Sequence, residues 1–135
     1  KADAFPIGID YDKFSNSVND GNVVLEINRI KEFIKDCKLI FSVDRLDYTK
    51  GIMNRLNGYE LFLDKYPQWH GKVIFNIIVA PSRTGIPRYK KMKKEIEANI
   101  GRINGKYSHL GWLPIVYQFK SVNFHELVAL YNTSD

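Results

Sequence analysis

The sequence predicts an α/β fold: a three-layer, Rossmann-like half-unit on a small parallel sheet of strand order 3-2-1. Three observations predict it. The hydrophobic period switches back and forth between helical and strand spacing along the chain. The strand-like runs are apolar without polar alternation, as in strands covered on both faces. Amphipathic helical stretches separate them, and right-handed crossovers then lay the strands parallel and side by side.

The elements follow in order. Phe14 to Asn22 is turn-rich and reads as a loop. Val23, Ile27, Ile30 and Ile34 fall on one face of a helix over 22–36. Leu39 to Val43 reads as a buried strand. Ile52, Leu56, Tyr59 and Leu63 give a helix over 51–66, stopped by Pro67. Val73 to Ala80 is the strongest strand, rich in β-branched residues and ended by Pro81. Pro87 suits the first turn of a third helix, lined on one side by Tyr89, Met92, Ile96, Ile100 and Ile103. Asn104-Gly105 reads as the turn that stops it. Ile115 to Phe119 is a third strand. Asn123 with Glu126 has the form of a capping box, opening a last helix with Phe124, Leu127, Val128 and Tyr131 inward. The order is αβαβαβα. A fourth strand is expected after Asp135, so the chain reads as part of something larger.

Composition bounds the function. The 135 residues are 44% hydrophobic and 26% charged, ordinary globular values that exclude disorder, collagen and coiled coil for the whole chain. The longest apolar run, Val73 to Pro81, is too short to cross a bilayer. The single cysteine, Cys37, has no internal disulfide partner and fits a reducing, cytoplasmic setting. Lys1 to Pro6 carries no apolar leader. The net charge of +5 is concentrated: Arg83 to Lys106 holds eight basic and two acidic residues. That balance permits a nucleic acid, a membrane surface or a phosphorylated small molecule and does not choose among them.

In parallel α/β sheets ligands sit at the carboxyl ends of the strands. Three segments meet that description: Asp44 to Gly51, Pro81 to Gly85, and Lys120 to Asn123. In the first, Arg45 and Lys50 are cations beside a helix N-terminus, which itself favours anions. A fork and a point charge together suit a diphosphate. The competing reading pairs them with Asp44 and Asp47 as a surface salt-bridge cluster. In the second, Arg83 beside Ser82 and Gly85 is either a phosphate contact or a solvated arginine. The run Arg88, Lys90, Lys91, Lys93 and Lys94 lies opposite the apolar stripe and has no interleaved aromatics, so it reads as a solvated helix face rather than a nucleic-acid patch. His70, His109 and His125 are not at metal-ligand spacing. No P-loop and no G-x-S-x-G elbow is present.

Several segments resemble trehalose-6-phosphate synthases. They are Phe41-Ser-Val-Asp-Arg-Leu-Asp-Tyr-Thr-Lys-Gly-Ile52, Lys65-Tyr-Pro-Gln-Trp-His-Gly71, Ala80-Pro-Ser-Arg83, Gly101-Arg-Ile-Asn-Gly-Lys-Tyr107 and Gly111-Trp-Leu-Pro114. Pro6-Ile-Gly-Ile-Asp10 is similar to the family's hinge. The resemblance covers nearly the whole chain. It implies a retaining glycosyltransferase of GT-B architecture, moving glucose from UDP-glucose to glucose 6-phosphate without a metal or other cofactor. It places the donor diphosphate on Arg45 and Lys50, the acceptor phosphate on Arg83, and a uridine contact, through the main chain, at Val122. It makes residues 1–21 an inter-domain hinge and loop segment and 22–135 a partial nucleotide-sugar-binding domain. The isolated chain is then expected to be inactive and to self-associate, the parent protein to form homo-oligomers. No nucleic acid or membrane partner is expected. The alternatives are a non-catalytic regulatory subunit of a synthase complex and a synthase with another phosphorylated acceptor.

Overall fold

The computed structural model describes residues 3, 4 and 6–135. Part of the stretch Lys1 to Pro6, read as carrying no leader, lies outside the described residues. The elements are α1 (Tyr11–Asn16), α2 (Gly21–Ile34), β1 (Lys38–Arg45), α3 (Ile52–Lys65), β2 (Val73–Ala80), α4 (Pro87–Tyr107), β3 (Ile115–Gln118) and α5 (Phe124–Thr133), with short 3-10 turns at Ser17–Asn19, Tyr48–Lys50 and Pro67–Trp69. The strands form one parallel sheet in the order β1-β2-β3, as the sequence predicts.

The central strand explains the run of β-branched residues. Every residue from Val73 to Val79 is buried, because β2 is paired on both edges and covered on both faces. Alternate side chains serve two layers. Phe75, Ile77 and Val79 join Leu56, Leu63, Ile96, Ile100 and Ile103 in the main core, under α3 and α4. On the opposite face α2 packs on α5 through Val23, Ile27, Val128 and Ala129. The outer edge of β1 meets Asp135, whose main-chain N–H donates to the Leu39 carbonyl at 3.0 Å. Among the described residues no helix is long and apolar enough to cross a membrane.

Three local expectations need correction. Phe14 to Asn22 is not a loop. Asp10 caps α1, accepting from the Lys13 N–H, and Phe14 stacks edge-on against Phe124 at 5.2 Å. Within the segment Asp20 is a cap too, accepting from the Asn22 N–H at the start of α2, so part of the turn-like composition is helix-capping chemistry. Tyr131 is 55% exposed and pairs edge-to-face with Phe41 at 5.5 Å; Ala129 and Leu130 take the inward places beside Val128. Asn104-Gly105 does not stop the third helix, which runs on to Tyr107.

Asn104 instead points at the sheet. Its Oδ1 accepts from the Ile115 N–H at 3.0 Å and its Nδ2 donates to the Ile115 carbonyl at 2.9 Å. These are the outward-facing groups of the first residue of an edge strand, and Ile115 is fully buried. One amide side chain therefore takes the place of a fourth strand at that residue. Asn104→Ala is expected to cost about 2 kcal/mol of unfolding free energy, because it leaves both groups buried without partners. Urea denaturation measures this; an unchanged midpoint would contradict the role.

Candidate phosphate-binding site

The sheet register brings the predicted segments to one edge. Arg45 at the end of β1 lies opposite Ala80 at the end of β2, and the Leu46 N–H bonds to the Ala80 carbonyl at 2.9 Å. The β3 segment leaves the sheet after Gln118, opposite Ile78. The loops 46–51, 81–86 and 119–123 thus emerge side by side.

The first loop is held by its own acids. Asp47 accepts from the N–H and the hydroxyl of Thr49, both at 2.9 Å, and so fixes the 3-10 turn over Tyr48–Lys50. These bonds, aided by the nearby Arg83 charge, hold its carboxyl below the usual carboxylate range. Asp44 pairs with Arg55 at 2.6 Å. Arg55, in the first turn of α3, also bonds the Ser42 hydroxyl and the Lys50 carbonyl, the latter at 3.1 Å. One guanidinium therefore joins the end of β1, the end of the loop and the start of α3.

The consequence settles a choice the sequence leaves open. Asp44 and Asp47 do not neutralise Arg45 and Lys50. Among the described residues neither cation has an ion-pair partner. Both are exposed. Beside them α3 begins at Gly51 in the left-handed region (φ +61°) with no side-chain cap. A side chain at Gly51 would meet Asn54 only at ordinary contact distance, so the dihedral is what calls for glycine. The free N–H groups of α3, its dipole and two unpaired cations are the groups that attract an anion.

The second loop turns sharply. Arg83 itself adopts φ +49°, rare for a residue with a side chain. Its Nη1 donates to the Tyr89 hydroxyl at 2.8 Å, and its guanidinium lies 5.6 Å from the Tyr89 ring centre. The Tyr89 hydroxyl in turn donates to Asp47 at 3.4 Å. Tyr89 thereby joins the first and second loops. Helix α4, like α3, has no side-chain cap. Helix α5, in contrast, is capped by Asn123, whose side chain accepts from the Glu126 N–H. The Glu126 carboxylate binds Lys120 at 2.7 Å instead of completing the box. Val122 is half-buried on this third loop, with no main-chain hydrogen bond among the described residues. Arg45, Lys50 and Arg83 are thus on adjoining loops, two of them linked through Tyr89, while nothing ties Val122 to the other three.

Arg55 and Tyr89 were not singled out as site residues from the sequence. Tyr89 reads there only as a core position. The signal for Arg55 is its place one turn inside a helix that starts directly after an acidic strand end.

The basic segment spends much of its charge within the molecule. Arg102 grips Glu60, Lys106 pairs with Asp64 at 3.0 Å, and Lys93 pairs with Glu97. Arg88 lies over the Tyr48 ring. His70 donates from Nε2 to the Leu63 carbonyl at 2.9 Å and stacks on Trp112, a structural role.

Residues 1–135 match the profile described as Glycosyltransferase family 20. A bifunctional trehalose-6-phosphate synthase/phosphatase of Thermoproteus tenax is 47% identical over 97% of this chain and 18% of its own length. A crystal structure of an alpha,alpha-trehalose-phosphate synthase (UDP-forming) from Burkholderia xenovorans, in complex with glucose-6-phosphate, superposes with a TM-score of 0.92 at 34% identity, over 98% of this chain and 29% of that one. A structure described as trehalose-6-phosphate from E. coli bound with UDP-2-fluoro glucose gives 0.88 at 37% identity, over 96% and 29%. The chain therefore spans less than a third of each.

Arg55→Met is expected to lower the unfolding free energy by about 1–2 kcal/mol, because it leaves Asp44 half-buried and unpaired. Arg55→Lys should restore less than half of that, since one ammonium does not span three acceptors. Equal urea midpoints for all three proteins would contradict the staple.

Proposed function

Because the chain belongs to glycosyltransferase family 20, we propose that it is the donor-diphosphate part of a retaining, UDP-forming trehalose-6-phosphate synthase. The whole enzyme moves glucose from UDP-glucose to glucose 6-phosphate, releasing UDP. The observation that carries this reading is the pair of unpaired cations, Arg45 and Lys50, beside an uncapped helix N-terminus. The relatives add their ligands: glucose-6-phosphate in the Burkholderia structure and a UDP-fluoroglucose in the E. coli one.

The roles follow from charge. Breaking the bond between glucose and UDP leaves negative charge on the β-phosphate. Arg45, Lys50 and the α3 N-terminus sit where they stabilise it without rearranging, which is how preorganised groups lower a barrier. Arg83 takes the phosphate of the acceptor, and that phosphate fixes the sugar for attack. Val122 offers its main-chain N–H and carbonyl to uridine. Residues 1–21 serve as the hinge and joining segment, and 22–135 as part of the nucleotide-sugar domain. A second domain supplies the rest of the cleft, so the chain by itself is inactive. The enzyme works in the cytoplasm. A purely regulatory subunit has no use for two cations kept unpaired, which favours the catalytic reading. Other phosphorylated acceptors remain chemically compatible with Arg83.

The test uses the full-length protein that carries this chain. Arg45→Ala is expected to reduce kcat at least about a hundredfold; near-normal turnover would remove Arg45 from the site. Arg83→Ala is expected to raise KM for glucose 6-phosphate at least about tenfold with KM for UDP-glucose little changed. Weakening of UDP-glucose alone would overturn the acceptor assignment. Equal activity of the native protein on glycerol 3-phosphate would overturn the choice of acceptor.

A further inference from the structure

Four observations converge on the first turn of α4. Arg83 holds a left-handed backbone conformation that is strained for a residue with a Cβ, so something must hold it there. Tyr89 is only 4% exposed, yet its hydroxyl is turned to the loops, where it accepts from Arg83 at 2.8 Å and donates to Asp47 at 3.4 Å. The other oxygen of Asp47 is already fixed by Thr49. The remaining N–H groups of Arg83 meet no acceptor among the described residues.

We propose that Tyr89 is a positioning residue for the acceptor-phosphate arginine, holding Arg83 by one guanidinium edge against the Asp47 carboxylate. This rests on the reading of Arg83 given above.

A neutral hydroxyl between arginine and carboxylate has a particular effect. A direct Asp47–Arg83 ion pair would occupy the fork that a phosphate needs and cancel much of its charge. With Tyr89 interposed, Arg83 is oriented by one donor and stacked on a ring, and its other donors stay free. The same hydroxyl ties Arg83 to the turn that ends at Lys50. The loop for the acceptor phosphate and the loop for the donor diphosphate therefore share one anchor. Tyr89 also closes the core beneath them, with Ile96 on the next turns of the same face. Its ring gives rigidity and its hydroxyl gives direction.

The experiment is steady-state kinetics on the full-length protein carrying Tyr89→Phe, Arg83→Ala and the double substitution. Phenylalanine keeps the ring and its packing. Tyr89→Phe is expected to raise KM for glucose 6-phosphate about tenfold, as expected for one lost hydrogen bond to a charged group. KM for UDP-glucose should stay within about twofold. In the Arg83→Ala background the same change should add less than about twofold, since the two residues act as one unit. An unchanged KM for glucose 6-phosphate in Tyr89→Phe, with Arg83→Ala still impaired, would overturn the positioning role and leave the acceptor assignment standing. Full additivity in the double variant would also overturn it, in favour of a packing role. If Arg83→Ala itself leaves KM for glucose 6-phosphate unchanged, the acceptor assignment fails and the proposal with it.

Discussion

Arg55 reaches from the first turn of α3 to three oxygens: the Ser42 hydroxyl, the Asp44 carboxylate and the Lys50 carbonyl. Much of the site depends on that reach. Asp44 lies in the same strand end as Arg45, and with no other partner it would draw in one of the two exposed cations. Arg55 satisfies it from the far side, under the loop. The Lys50 carbonyl is held at the same time, so the loop has fixed ends while its two cationic side chains have none. A charge that is fixed in place and not neutralised is what a leaving diphosphate requires.

The fold supplies the rest of the field. Parallel strands end at one edge, and the helix that follows each strand begins there. Two of those helices, α3 and α4, start without side-chain caps, whereas α5 is closed by Asn123. The uncapped pair border the loops that carry Arg45, Lys50 and Arg83. The other basic residues are placed differently. Arg102 and Lys106 clamp α4 to α3 through Glu60 and Asp64; Arg102 holds the Glu60 carboxyl below its usual range, and Tyr107 together with Lys106 does so for Asp64. That contribution is present above the ordinary carboxylate range and is lost as the pH falls through the lowered values. The net charge of +5 thus divides into helix clamps, a solvated face and a few cations at the ligand edge.

The sheet and its order were legible because buried parallel strands leave unbroken apolar runs such as Val73 to Val79. The placement of Arg45, Lys50 and Arg83 at neighbouring strand ends was legible because fold rules point to those ends before any contact is known. Two of the three errors have a common source, since short polar residues serve caps and turns alike. Asp10 and Asp20 cap helices where a loop was expected. Asn104 looked like a helix stop and is a side chain of the last helical turn bonded to Ile115, eleven positions away. Periodicity placed Tyr89 correctly in the core and said nothing of where its hydroxyl points. The Asp44–Arg55 pair joins a strand to the helix after it, and spacing alone does not distinguish it from an Asp44–Arg45 cluster.

The central claim is that Arg45 and Lys50 are kept unpaired to receive a diphosphate. Calorimetric titration of UDP and UMP into the full-length protein carrying this chain tests it most directly. The native protein should bind UDP at least about thirtyfold more tightly than UMP, and that preference should vanish when Arg45 and Lys50 are both alanine. Equal affinities in the native protein, or a preference that survives both substitutions, would contradict the account.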